Sequence, residues 1–127
     1  MLVIRKDQLK TFDKTIEKSQ FDRLCSIIEI AYPDQFNTLG KDGVEDRIKK
    51  GTEKAKSYYI ESNENIERYI HLMFLLEKDD FDTSPETKWA GIILNWEDAD
   101  ENLKIAALEK RVRDDALKAK PNIIEEQ

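Results

Sequence analysis

His71 and Cys25 are the one histidine and the one cysteine of this chain, and they are the residues that could work as base and nucleophile. No glycine-rich elbow or polar setting surrounds Cys25, so it is read as a core residue, and His71 as a surface or core-edge residue. Glu67 stands four residues before His71, near enough to touch it on one helical face. A metal ion needs three or four converging ligands, and no second histidine exists. Asp79, Asp80 and Asp82 invite a calcium reading. An EF-hand loop wants glycine at its sixth position and glutamate at its twelfth. Counting from Asp80 gives Pro85 and Gly91, and counting from Asp79 gives Ser84 and Ala90, so the run is read as a helix-capping loop. Gly40, Gly43 and Gly51 lack the Gly-Lys-Ser/Thr triplet and the strand of a phosphate-binding loop. The expectation is a chain with no catalytic residue, no cofactor and no metal: not an enzyme.

What remains is chemistry suited to binding another protein. Tyr58 and Tyr59 are neighbours on one helix, so they point about 100° apart and cannot both sit at the centre of one core. Trp89 and Trp96 are seven apart, two turns of one helical face. Both residue types anchor interfaces; the tryptophans are read as core first and interface second, and the tyrosines stay open between the two. The net charge of −6 is placed unevenly. Residues 1–78 balance 14 acidic against 14 basic side chains, whereas 79–127 hold 13 acidic and 7 basic. That distribution counts against nucleic acid and against an anionic membrane surface, both of which reward basic patches. The excess either keeps the protein in solution or meets a basic partner. The candidate partner-binding residues are Tyr58, Tyr59, Asp79, Asp80, Asp82, Trp96, Glu97 and Asp98.

The elements that must position them read as helices. Four glycines and three prolines leave little material for the turns of a sandwich or barrel. The securest stretch is 63–77, where Ile66, Tyr69, Ile70, Met73, Phe74 and Glu77 recur at helical spacing. Leu72, Leu75 and Leu76 make it apolar nearly all round, so it should be covered on more than one side, with Ser62 as its cap. Before it, Leu2, Val3 and Ile4 lead into a helix from Lys6 or Asp7 with Leu9, Phe12 and Ile16 inward. Phe21, Leu24, Cys25, Ile28 and Ala31 continue that stripe after either a bend or a fresh cap at Ser19. Pro33 to Gly43 reads as a loop, with Phe36 and Leu39 folded back. A second helix spans about Gly43 to Tyr59, with Val44, Ile48, Gly51 or Thr52, Ala55 and Tyr58 or Tyr59 inward. Its small positions Gly51 and Ala55 should receive the central helix, as an antiparallel neighbour. Thr83 or Ser84 caps a fourth helix with Trp89, Ile92, Ile93 and Trp96 on its apolar side, opposite Ala90 and Gly91. A last helix starts around Asp98, paired with Glu101, carries Leu103, Ala106, Ala107, Leu108 and Val112, and closes at Pro121.

The fold expected is all-α: one compact bundle of about five helices around the central apolar helix 63–77. It forms a single domain over 1–120, with a flexible tail at 121–127. No run of 18 apolar residues and no signal-peptide h-region is present, and a lone cysteine fits a reducing cytoplasm.

Several stretches carry a resemblance. They are Ile4-Arg5-Lys6-Asp7-Gln8, Ile48-Lys49-Lys50-Gly51-Thr52-Glu53-Lys54-Ala55 with Tyr58 and Ile60, and Ile66-Glu67-Arg68-Tyr69-Ile70 with Met73. Asp80-Phe81-Asp82 and Trp89-Ala90 with Ile93-Leu94 complete the set. Together they resemble a family of small proteins encoded beside type VI secretion spike and effector genes in Gram-negative bacteria. Lys88 stands where such sequences have a proline. The family has no established catalytic residues, so none is carried over. The resemblance implies an accessory role, as adaptor or chaperone for an effector or spike protein. The alternative is an immunity protein that neutralises a toxin through the acidic C-terminal half. Either way the partner is a protein: an effector, a spike protein, a toxin or a second copy of this chain.

Overall fold

The computed structural model describes residues 18–118. The lead-in Leu2 to Ile4, the positions Leu9, Phe12 and Ile16, the stretch Ile4 to Gln8, Pro121 and the tail 121–127 lie outside the described residues. Five α-helices and no strand occur among the described residues: α1 (Lys18–Ala31), α2 (Pro33–Ser57), α3 (Asn63–Leu76), α4 (Lys88–Leu94) and α5 (Glu101–Lys118). A short 3-10 turn, Pro85–Thr87, leads into α4. The chain is an all-α bundle.

The helix α3 is the centre. Ile66, Tyr69, Ile70, Met73 and Phe74 are each at most 1% exposed, and α1, α2 and α5 all pack on it. Leu72 is buried too, but Leu75 is 53% exposed, so the helix is covered on most sides and open on one. Ser62 caps its start, its Oγ accepting from the Asn65 N–H at 3.2 Å. Glu101 reaches across from α5 and accepts from the Ser62 N–H at 3.0 Å and the Asn65 amide at 2.8 Å. Burial pushes the Glu101 carboxyl up, but hydrogen bonds from Asn65, Ser62 and Glu61 outweigh it and hold the group below its ordinary value. The sequence pairing of Asp98 with Glu101 is therefore corrected. Asp100 caps α5, its Oδ1 accepting from the Leu103 N–H at 2.9 Å, while Glu101 serves the central helix. Glu77 does not end the buried stripe. It is exposed and holds the left-handed C-terminal position of α3 (φ 56°), where its own N–H bonds Phe74 and that of Lys78 bonds Met73.

The expected loop Pro33 to Gly43 is helical instead. Proline is tolerated at a first turn and Asp34 favours the positive end of the dipole, so residues read as turn formers start a helix here. Phe36 and Leu39 are half-buried against the core. The break comes at Gly40, whose φ of 76° and ψ of 166° belong to a region that only glycine occupies readily. Ser19 lies within α1 and does not cap it, and Ala31 is exposed. Beyond Gly40, Val44, Ile48, Gly51, Thr52 and Ala55 line the buried face of α2 as expected. A Cβ on Gly51 would lie 2.6 Å from Met73 Sδ and 3.0 Å from Ile70 Cγ1, so side chains of α3 pack directly on the α2 backbone there.

The helix α4 is shorter than its pattern suggests and turned differently. Ala90, Ile93 and Leu94 are buried, Trp89 is half-buried, and Ile92 is 57% exposed. Ala90 and Gly91 therefore do not form an outer, small side. Gly91 lies against the loop before it, where a Cβ would sit 2.7 Å from the Asp82 carbonyl oxygen. In α5, Ile105 and Leu108 are the buried apolar positions, while Leu103 is 52% exposed.

Two stability outcomes follow. Gly91→Ala destabilises by about 1–2 kcal/mol although alanine is the better helix former, because a backbone carbonyl cannot step aside; a lower urea midpoint at unchanged slope is the readout. Tyr69 OH is the one buried side-chain polar atom without a hydrogen-bond partner among the described residues. Tyr69→Phe therefore leaves stability unchanged or raises it by up to about 1 kcal/mol in the same assay.

Candidate functional site

At the end of α2 the chain turns through Tyr58 and Tyr59. The Tyr59 N–H bonds the Lys56 carbonyl at 2.9 Å and the Ile60 N–H bonds the Ala55 carbonyl at 2.9 Å. This is the Schellman arrangement, and it places Tyr59 at the left-handed position with φ 65°. Glycine is the usual occupant, since a Cβ there meets the following carbonyl. Ile60 is fully buried beneath the turn, while the Tyr59 ring is 77% exposed. Glu77 occupies the same kind of position, so a positive φ alone marks nothing. The difference lies in the side chain: a carboxylate belongs in water, and a phenol ring exposes apolar surface there.

Opposite Tyr59, Trp96 follows the C-terminal end of α4 and is 40% exposed. Between them lies an open cleft of about 420 Å³ whose walls include Tyr58, Tyr59, Leu94, Trp96, Glu97 and Lys104. Lys104 forms its floor. Its side chain is buried, donates to the Tyr58 carbonyl at 3.1 Å, and places its Nζ 5.8 Å from the Tyr59 ring centroid. An ammonium at the carbonyl end of α2 is favourable in the helix field and also steadies the ring. Sequence reading missed Lys104, since a lysine among Leu103, Ile105 and Ala106 reads as an outward residue. The candidates Tyr59, Trp96 and Glu97 do converge on one cleft, and Tyr58 forms part of its wall.

The other acidic candidates stand apart. Asp82 is turned inward: it pairs with Lys54 Nζ at 2.7 Å and accepts from Tyr58 OH at 2.7 Å, with its side chain 5% exposed. Its carboxylate is thus engaged within the fold and does not stand out as a surface acid, unlike Glu97 and Asp98. Asp79 pairs with Arg47, and the Asp80 carbonyl accepts the N–H groups of Thr83 and Ser84. Ser84 caps the turn into α4, accepting from the Glu86 N–H at 3.4 Å. Asp98 is exposed on the connection between α4 and α5, beside Glu97 and Asp100.

Cys25 is buried, and burial first, then Glu45 and Asp22 against Lys41, pushes its thiol up and away from the nucleophilic thiolate. His71 instead faces Tyr32, whose OH lies 3.4 Å from Nδ1. Glu67 bonds Arg23 and Gln20 from α1. No three histidine, cysteine or acidic side chains converge as metal ligands among the described residues, and no described helix is long and apolar enough to cross a membrane. Comparison of the chain with protein-family models, with curated proteins and with solved structures returns no match.

Burial, joined by the hydrogen bond to Asp82, pushes the Tyr58 phenol up to about 12. The unfolded phenol titrates near 10, so the stability that Tyr58 contributes is complete below about pH 10 and is lost as pH rises towards 12. Tyr58→Phe removes that part of the alkaline slope in denaturation measured across pH. Asp82→Asn moves the Tyr58 ionisation to lower pH, read by phenolate absorbance.

Proposed function

We propose that this chain is a non-catalytic protein-interaction module, an accessory adaptor or chaperone for a type VI secretion effector or spike protein. One observation carries the interaction reading. A tyrosine occupies a helix-terminal position suited to glycine, stays 77% exposed, and lines an open cleft together with a part-exposed tryptophan. Folding gains little from that arrangement, since an exposed ring contributes little transfer energy and the left-handed backbone costs about 1–2 kcal/mol. Tyrosine and tryptophan are the residues from which binding hot spots are most often built. The link to secretion rests on the sequence resemblance, whose stretches Ile48 to Ala55 with Tyr58 and Ile60, and Trp89-Ala90 with Ile93-Leu94, flank this cleft along the chain. The role proposed is passive: holding a partner segment until it is passed on, with no bond made or broken.

Stability and binding should therefore separate at Tyr59. Tyr59→Gly raises stability by about 0.5–1 kcal/mol, seen as a higher melting temperature. The same change weakens partner capture by more than about ten-fold. The test is co-purification of the tagged chain from its native cells, with neighbouring gene products identified, for wild type and Tyr59→Gly side by side. A stabilised variant that retains an effector or spike protein undiminished would refute the cleft as the binding site. Retention of neither by the wild type would refute the adaptor role.

A further inference from the structure

The side of the cleft formed by the connection between α4 and α5 is negatively charged. From Asn95 to Leu103 the chain carries Glu97, Asp98, Asp100 and Glu101 and neither lysine nor arginine. Glu101 is committed to the N-terminus of α3, and Asp100 uses one oxygen to cap α5. Glu97 and Asp98 are exposed, and Glu97 is part of the cleft wall itself. Lys104, the cation that lines the cleft, is buried with its Nζ held by the Tyr58 carbonyl and set against the Tyr59 ring, so it does not reach the rim from the solvent side. The result is a cleft with aromatic side chains in its lining and a negative lip on one side.

Resting on the reading of the cleft as a binding site, we infer that its occupant is a linear segment of a partner protein, bearing one large apolar side chain flanked by lysine or arginine. The apolar side chain enters between Tyr59 and Trp96, and the flanking cations lie over Glu97 and Asp98. Three features select this chemistry. At about 420 Å³ the cleft lies near the lower end of small-molecule pockets, which suits one side chain with its adjoining backbone better than a folded face. Exposed faces of Trp96 and Tyr59 attract guanidinium and ammonium groups as well as hydrocarbon. The lip repels an acidic segment and speeds the approach of a basic one, an effect that salt screens.

The test is selection of short peptides from a random display library on the intact chain, followed by titration of the selected peptides as synthetic compounds. Calorimetry reports the titration in every variant, and Trp96 fluorescence, told apart from that of Trp89 by Trp96→Phe, reports it wherever Trp96 is kept. Enriched peptides should share an apolar anchor with adjacent lysine or arginine. Their binding should weaken more than about ten-fold in Tyr59→Gly, in Trp96→Ala and in the charge-reversed pair Glu97→Lys with Asp98→Lys. It should also fall with added salt, and it should survive Ile30→Ser, which alters an exposed apolar residue on α1. Peptides that are acidic or uncharged yet still depend on Tyr59 overturn the basic partner and leave the cleft reading standing. Peptides indifferent to both Tyr59 and Trp96 overturn both. No enrichment overturns the linear segment, and self-association of the chain abolished by Tyr59→Gly overturns it in favour of a second copy.

Discussion

Contact without clearance between α2 and α3 is the constraint on which the other placements depend. At Gly51 the sulfur of Met73 and the side chain of Ile70 occupy the space that any Cβ would need. Two helices so close cannot slide along or rotate about one another without collision, because side chains in a packed interior interdigitate at crystal-like density. Holding α2 fixes both of its ends. At one end the kink at Gly40 folds Phe36 and Leu39 onto the core. At the other, Ile60 is driven under the turn, and Tyr58 and Tyr59 are left on opposite errands.

Those errands show how a small helical domain divides its polar material. Tyr58 turns toward Asp82 and, with Lys54, makes a part-buried cluster that clips the loop between α3 and α4 onto α2. A carboxylate sheltered from water is costly unless it is paired and hydrogen-bonded, and this one is both. The loop thereby presents its backbone to Gly91, and α4 is seated by that contact. From α5, Glu101 and Lys104 perform the reciprocal service at helix termini, the anion at the start of α3 and the cation at the end of α2. The acidic C-terminal half is thus partly framework, and its outward carboxylates include Glu97 and Asp98 beside the cleft.

Tyr59 and Glu77 make a useful internal comparison. Both end a helix in the left-handed conformation and both close the same pair of backbone hydrogen bonds. Only Tyr59 exposes a large ring there, beside Trp96 and above a buried ammonium. Natural sequences depart from local preference mostly where something other than folding is selected, and this departure is the feature from which the binding reading starts.

The sequence by itself determined the all-α class, the central helix 63–77 with its Ser62 cap, and the glycine contact on α2, because periodicity and cap chemistry are local properties. It also named Tyr58, Tyr59, Trp96 and Glu97 among its candidate residues, and the fold lines one cleft with all four. Only the tertiary structure decided that Pro33 to Leu39 is helical, since proline and aspartate serve a loop and a helix start equally well until Phe36 and Leu39 find the core. Only it turned Asp82 inward and Ile92 outward, and brought Lys104 and Glu101 to helix ends 39 to 46 residues away. Charge pairing and face selection in a short helix depend on what the fold places opposite, and such partners are distant in the chain and silent in its local pattern.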